Sequence, residues 1–320
     1  MKKFYFLAIL LAVVSLSIPV RAYVTTKSRS PAGAIIEHKW KTFPLTWRMN
    51  PTQGSNVTGS RTQAEVFNQS FQAWQSVTTA SVSLTQGPDT DANVQFGYDG
   101  INLITTDAAS GVKMPPGVIA YTFSYFFDEG GPGMIDPLGR SVDFPGQILE
   151  ADMVFNAGIQ FTTNPAAVSD RMDLQSVATH EAGHFLGLDH ASTLSSTMFW
   201  VVGMGVIYPR VLSSDDMAGI SALYPAPMFA TQGKISGTVR TTANVPVYGA
   251  IVVAVNASGT PVASAITDPN GVYLIEGLDA GAYTVVAEPL TGPINAARIG
   301  SLGSVYPDQT VNTNFTARYR

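Results

Sequence analysis

No cysteine occurs anywhere in this chain, and histidine occurs only four times. Without thiols there can be no disulfide framework, no iron–sulfur centre and no soft-metal store. Long apolar runs are also scarce. The run from Phe4 to about Ile18 falls short of the ~20 residues that a membrane-spanning helix needs, and no later stretch reaches that length. A basic cluster is missing as well, which argues against nucleic acid as a partner.

What is present begins with a leader. In "MKKFYFLAILLAVVSLSIPVRAYV" two lysines precede an apolar run, and Ala22 offers a small residue where a signal peptidase can cut. A secreted, extracellular protein with no membrane span is therefore expected. It must hold its shape by packing alone, although export usually invites disulfides. Losing Lys2, Lys3 and Arg21 takes the 18 basic residues to 15 against 23 acidic, a net charge of −8. Residues 232–320 hold five of each sign, so the acidic excess lies before them.

The length suits more than one domain. We read residues 1–22 as signal peptide, 23–36 as a short N-terminal segment, 37–225 as the first domain, 226–231 as a linker and 232–320 as a β-sandwich. The first domain mixes two periodicities. "PLTWRMN", "NVQFGY", "GVIAYTFSYFF" and "ILEADMVFN" read as strands. "SRTQAEVFNQSFQAWQSVT" places Val66, Phe67, Phe71, Trp74 and Val77 on one helical stripe. "DRMDLQSVATHEAGHFLG" predicts a helix capped by Asp170 or Asp173 and ended by Gly187. "LSSDDMAGISALY" predicts a last helix capped by Ser213 or Ser214, with Met217, Ile220, Leu223 and Tyr224 facing the core. This interleaving indicates an α+β fold. Beyond about Gly233 the pattern is short alternating runs separated by turns such as "NASGTP" and "DPNG", with no helical stretch. There, Tyr273, Ile275 and Leu278 begin a buried face.

Three of the four histidines fall in "HEAGHFLGLDH". His180 and His184 are one turn apart on one helix face, and a left-handed Gly187 can turn the chain so that His190 returns to the same point. Three nitrogen ligands with a fourth position open to water suit one catalytic Zn2+. Glu181 can reach that position and act as general base. An isolated H-E-x-x-H arises by chance, but five fixed positions in so histidine-poor a chain favour the metal reading.

This long motif resembles the signature of metzincin metallopeptidases. "SSTMFW" supplies Met198 where that clan places a methionine under the metal. "HEAGHFLGLDHAS" with "LSSDDMAGISALYP", together with "KWKTFPLTWRMN" and "FNQSFQAWQSVT", is similar to the matrixins over roughly residues 39–225. The resemblance implies a twisted, mixed but mostly parallel sheet with three helices and a cleft whose floor holds the zinc. It implies that Val118, Ile119, Ala120 and Tyr121, within 118–123, belong to an edge strand that lines up the substrate backbone. It also implies that Met198–Tyr208 walls an apolar pocket just after the scissile bond. Departures are visible too. Tyr121 and Val154 stand where the animal enzymes carry histidines for a second zinc, and His38 is the only histidine left over. No cysteine can cap the zinc, and Trp200 replaces the tyrosine that astacin-like relatives use as a ligand. Asp128, Glu129, Asp136, Asp143, Glu150 and Asp152 are candidates for Ca2+, solvated loop acids being the alternative.

"TDPNGVYLIEGLDAGAYTV" resembles the carboxypeptidase regulatory-like domains, small prealbumin-type sandwiches appended to secreted enzymes. Such a module could dock the protein on a surface or substrate, or cap and stabilise it. Three functions are therefore weighed: a secreted zinc endopeptidase acting on protein or peptide substrates, a protease-like adhesion protein without catalysis, and a zinc hydrolase of non-peptide amides or esters. Intact base and ligands favour the first.

Overall fold

The computed structural model describes residues 20–21, 24–30, 32–51, 54, 56–91, 94, 96–291 and 295–319. The expected signal peptide lies outside the described residues apart from Val20–Arg21, which run parallel to Tyr273 and Leu274. No helix among the described residues is long and apolar enough to cross a membrane.

Six strands form the first sheet: β1 (Lys39–Trp40), β2 (Leu45–Met49), β3 (Leu84–Gln86), β4 (Asn102–Thr106), β5 (Ala120–Phe126) and β6 (Gln147–Phe155). The order is β1-β6-β4-β2-β3 with parallel neighbours throughout. β5 is antiparallel to β6, from Phe126 opposite Ile148 to Ala120 opposite Phe155. β6 is buried along nearly its whole length, as a covered parallel strand must be.

Helix α1 (Gln63–Gln75) starts at a capping box in which Thr62 and Glu65 satisfy each other's backbone N–H groups. Its buried Val66, Phe67, Phe71 and Trp74 recur at helical spacing, and Phe71 stacks on Trp47 of β2. Val77 is buried too, but in the turn beyond the helix end. The segment 93–98, expected as a strand, is irregular in its described residues. Its neighbourhood answers to two buried carboxylates of β6 instead of a ladder. Asp152 accepts from Gly97 and Leu103 N–H, and Glu150 accepts from Asp99 and Gly100 N–H.

Two further helices complete the first domain, α2 (Leu174–Phe185) and α3 (Ser214–Leu223). Asp173 rather than Asp170 caps α2, and Ser213 caps α3 in a second capping box with Asp216. Ile220, Leu223 and Tyr224 are buried as expected, whereas Met217 is 38% exposed.

The C-terminal region is a sandwich of short strands. β8 (Ala250–Asn256) lies between β9 (Pro261–Ile266) and β11 (Tyr283–Pro289), facing the pair β7 (Gly233–Thr238) and β10 (Val272–Leu278). Tyr273 and Ile275 point inward by strict alternation, and Gly277, at φ +75°, shifts the parity so that Leu278 does too. The expectation that this region has no helix is overturned. A 3-10 turn at Ala296–Arg298 leads into α4 (Gly300–Val305), with Ile299, Leu302 and Val305 buried. Their apolar side chains are spaced three apart, too short a pattern to stand out against the strands around it.

The two regions share one core. Residues Ala218 and Ile220 of α3 belong to the same apolar cluster as Val252, Ala263 and Ile275. A second cluster joins Val24 and Phe199 to Tyr248, Ile266, Ile299 and Leu302. Within this junction Asp215 accepts from Ser264 N–H at 2.7 Å and from its hydroxyl at 3.1 Å. Burial, and then the neighbouring Asp216, push the Asp215 carboxyl up to about 7. Its folded pKa thus lies above the unfolded value of ~3.9, so ionisation costs stability as pH rises from about 4 to about 7. Asp215→Asn keeps the acceptor and removes the charge. We expect its advantage over wild type to be larger at pH 8 than at pH 5, by on the order of 2 kcal/mol in denaturant unfolding. An equal gain at both pH values would show that ionisation is not the cause.

Candidate metal centre

Helix α2 is fixed at both ends before its histidines are considered. Asp173 caps Ser176 N–H at its start and is itself paired with Arg210. At its C-terminus the orphan carbonyls are taken up by side chains from elsewhere. Trp40 Nε1 donates to Phe185 O at 2.7 Å and the Tyr224 hydroxyl to Leu186 O at 2.7 Å. Gly187 then adopts φ +95°, where a Cβ would meet His38 O at 2.5 Å, so the turn needs glycine. The N-terminal segment secures that turn through Thr26 N–H to Gly187 O and Asp189 N–H to Val24 O, both at 2.8 Å.

The turn brings His190 to the two helical histidines. Each ring is held the same way. His180 Nδ1 lies 2.7 Å from Thr197 O, His184 Nδ1 lies 2.8 Å from Leu188 O, and His190 Nδ1 lies 2.8 Å from Arg298 O. A carbonyl can only accept, so each Nδ1 carries a proton, and in the neutral ring Nε2 is then the bare nitrogen. His180 Nε2 and His184 Nε2 are 3.1 Å apart with no proton between them. One nitrogen from each of the three residues falls within 4.8 Å of the others. Converging lone pairs at that spacing repel unless a cation sits among them, so the donor set fits a divalent ion such as zinc. Burial and the neighbouring rings hold His180 well below the usual histidine range, and His184 is pushed down to about 3. Both are therefore neutral and free to ligate at neutral pH.

Glu181 is buried beside this group. Burial pushes its carboxyl up to about 7, against the pull of the Thr122 hydroxyl, which donates to Oε2 at 2.6 Å. Thr122 lies on β5, which with His180, Glu181, His184 and His190 lines a cleft of about 720 Å³. Val118 and Ile119 precede β5 and Ala120 and Tyr121 open it, and all four line the cleft. β5 pairs with β6 alone among the described residues, so its outer edge is open. Tyr121 stands directly opposite Val154. Phe199, Trp200, Val201, Val202 and Tyr208 also line the cleft, an apolar wall as read from Met198–Tyr208.

Met198 itself is 2% exposed and lies under α2. A Cβ on Gly183 would meet its sulfur at 2.2 Å and Trp74 Cζ2 at 2.8 Å. The loop carrying Met198 is organised by Asp216 of α3, which accepts from Ser213, Ser196, Thr197 and Met198. Gly183 and Asp216 escaped the sequence reading, as did the contact of Thr122 with Glu181. Only Asp216 left a signal there, as the second acid of "SSDD". His38 is remote in role: it is buried, its Nε2 lies 3.0 Å from Ser28 Oγ, and its ring packs on Phe126.

The acids read as calcium candidates are engaged with protein donors. Asp128 takes Ser28, Asp136 takes Tyr98 and Arg140, Asp143 takes Lys41, and Glu150 and Asp152 take backbone N–H groups. Glu129 is exposed. Among the described residues the three histidines are the group whose ligand atoms converge.

A mixed sheet with three helices and a histidine triad lining a cleft is thus joined to an all-β appendage. The matrixin family model matches residues 39–225, more than half of the chain, and the chain belongs to that family. The carboxypeptidase regulatory-like domain model matches residues 234–317. The chain is 28% identical to Metalloendoproteinase 1-MMP of Arabidopsis thaliana over 191 residues, 58% of this chain and 44% of that protein. It is 33% identical to Stromelysin-3 of Xenopus laevis over 193 residues (59% and 33%) and 28% identical to Matrix metalloproteinase-20 of Homo sapiens over 192 residues (59% and 32%). It thus spans less than half the length of each of these relatives.

Replacing a helical glycine by alanine ordinarily gains about 1 kcal/mol. At Gly183 the contacts with Met198 and Trp74 reverse that sign. Gly183→Ala is expected to lose about 1–2 kcal/mol and to release zinc to a competing chelator more readily than wild type. A raised melting temperature would show instead that Met198 is free to move.

Proposed function

We propose that this protein is a secreted zinc-dependent endopeptidase, with His180, His184 and His190 as the metal ligands and Glu181 as the general base. The observation that carries the reading is the set of three imidazoles, each fixed through Nδ1 with its Nε2 bare, beside a buried carboxyl at the floor of an open cleft. When bound there, zinc lowers the pKa of a water molecule toward ~7 and polarises the scissile carbonyl.

The protein's own residues do the rest. Glu181 accepts the proton of the attacking water and passes it to the leaving amine, so that water and one peptide bond become a carboxylate and an amine. Thr122 donates to Oε2 and fixes the direction in which the carboxylate presents its other oxygen. The open edge of β5 pairs with the substrate backbone in an extended form. The apolar wall from Phe199 to Val202 with Tyr208 favours an apolar side chain next to the cut. Met198 packs beneath the ligands and keeps the helix and the following loop in register. We further propose the division already set out, with signal peptide 1–22, segment 23–36, peptidase 37–225, linker 226–231 and sandwich 232–320.

Glu181→Ala is expected to retain zinc yet lose peptide cleavage by a factor of about 10² or more. Metal analysis alongside turnover of a protein substrate checks both halves. Full activity in that variant would reject the mechanism, and turnover confined to small esters would reject the peptidase.

A further inference from the structure

The C-terminal domain reaches into the cleft. Ala297, Arg298, Gly300 and Ser304 line it alongside the histidine triad, and Arg298 O is the partner of His190 Nδ1 at 2.8 Å. One residue of the sandwich domain is therefore a single hydrogen bond from a candidate metal ligand.

That segment is held firmly. Ile299, 1% exposed, and Leu302 insert into the cluster that contains Val24 and Phe199. Arg298 N–H closes the 3-10 turn on Asn295 O at 2.9 Å, and Ser304 Oγ donates to Lys27 O at 2.8 Å across to the N-terminal segment. With its backbone so placed, the Arg298 side chain extends over Trp200, its guanidinium carbon 4.1 Å from the ring centroid. Stacking on an aromatic face leaves the in-plane N–H donors of a guanidinium unoccupied, and in the exposed Arg298 they form a fork that matches a carboxylate.

The charge distribution gives this fork a purpose. β5, "AYTFSYF", carries no charge, and neither does "FWVVGMGVIY" from Phe199 to Tyr208. Lys27 and Arg298 are the cations among the lining residues, and they belong to the one wall built from the N-terminal segment and the sandwich domain. Glu181 and Asp189, the acids among the lining residues, are buried, so the exposed charge that a peptide lying along β5 meets is on that wall.

We propose that Arg298 is a specificity-determining residue, by which the C-terminal domain selects substrates bearing a carboxylate side chain near the cleavage point. This rests on the endopeptidase reading. The test uses the full-length, zinc-loaded protein and a neutral peptide in which a single Asp, or a single Lys, is walked through successive positions on both sides of the cut. At one position we expect kcat/KM for Asp to exceed that for Lys by about tenfold, chiefly through KM, and to fall with added salt. Arg298→Glu should invert the preference toward Lys, a reversal that a merely misfolded protein cannot produce. Arg298→Lys should keep the sign with a smaller ratio, since a point charge replaces the fork. An Asp-to-Lys ratio within about twofold at every position, or one unchanged by Arg298→Glu, overturns the proposal. Charge-selective binding of the Asp peptide without its cleavage would instead overturn the endopeptidase reading and leave the recognition role of Arg298 supported.

Discussion

Three hydrogen bonds from imidazole Nδ1–H to backbone carbonyls hold this centre together, and the rest of the structure is arranged to keep those carbonyls in place. They come from Leu188, Thr197 and Arg298, residues on three separate segments. Each carbonyl fixes a tautomer as well as a ring plane, so the metal-binding face exists before any ion arrives. The Leu188 carbonyl is placed by the Gly187 turn and the strand-like pairing with Thr25. The Thr197 carbonyl is placed by Asp216. The Arg298 carbonyl is placed by the apolar anchor of α4.

Asp216 shows how a capping residue can take on a second duty. As the third residue of α3 it completes the capping box with Ser213, and the same two oxygens gather the backbone of Thr197 and Met198. The last helix of the domain is thereby tied to the loop beneath the first ligand. Glu150 and Asp152 do similar work for the irregular segment after β3, collecting three of its N–H groups and that of Leu103 in β4.

The legible parts were those governed by local rules. The histidine spacing, the Gly187 turn, the caps of α2 and α3 and the alternation of the sandwich strands all follow from residues close in sequence. What escaped was set by distant partners. "NVQFGY" reads like a strand, but Gly97 N–H is drawn off by Asp152, 55 positions away. Met217 fits the helical stripe, yet that part of α3 faces outward because the sandwich packs against Asp215 and Ala218 instead. Nothing in "NAARIGSLGSV" announces a contact with His190, since the pairing depends on two domains docking. Thr122 could be placed on the edge strand but not aimed at Glu181.

The continuous core across the domain junction has a thermodynamic corollary. With apolar clusters running from α3 into the sandwich, and the hydrogen-bond partner of His190 on the far side, neither half can melt without disturbing the histidine triad. The appended module is thus packed as a keystone of the first domain and not as a passenger on a tether.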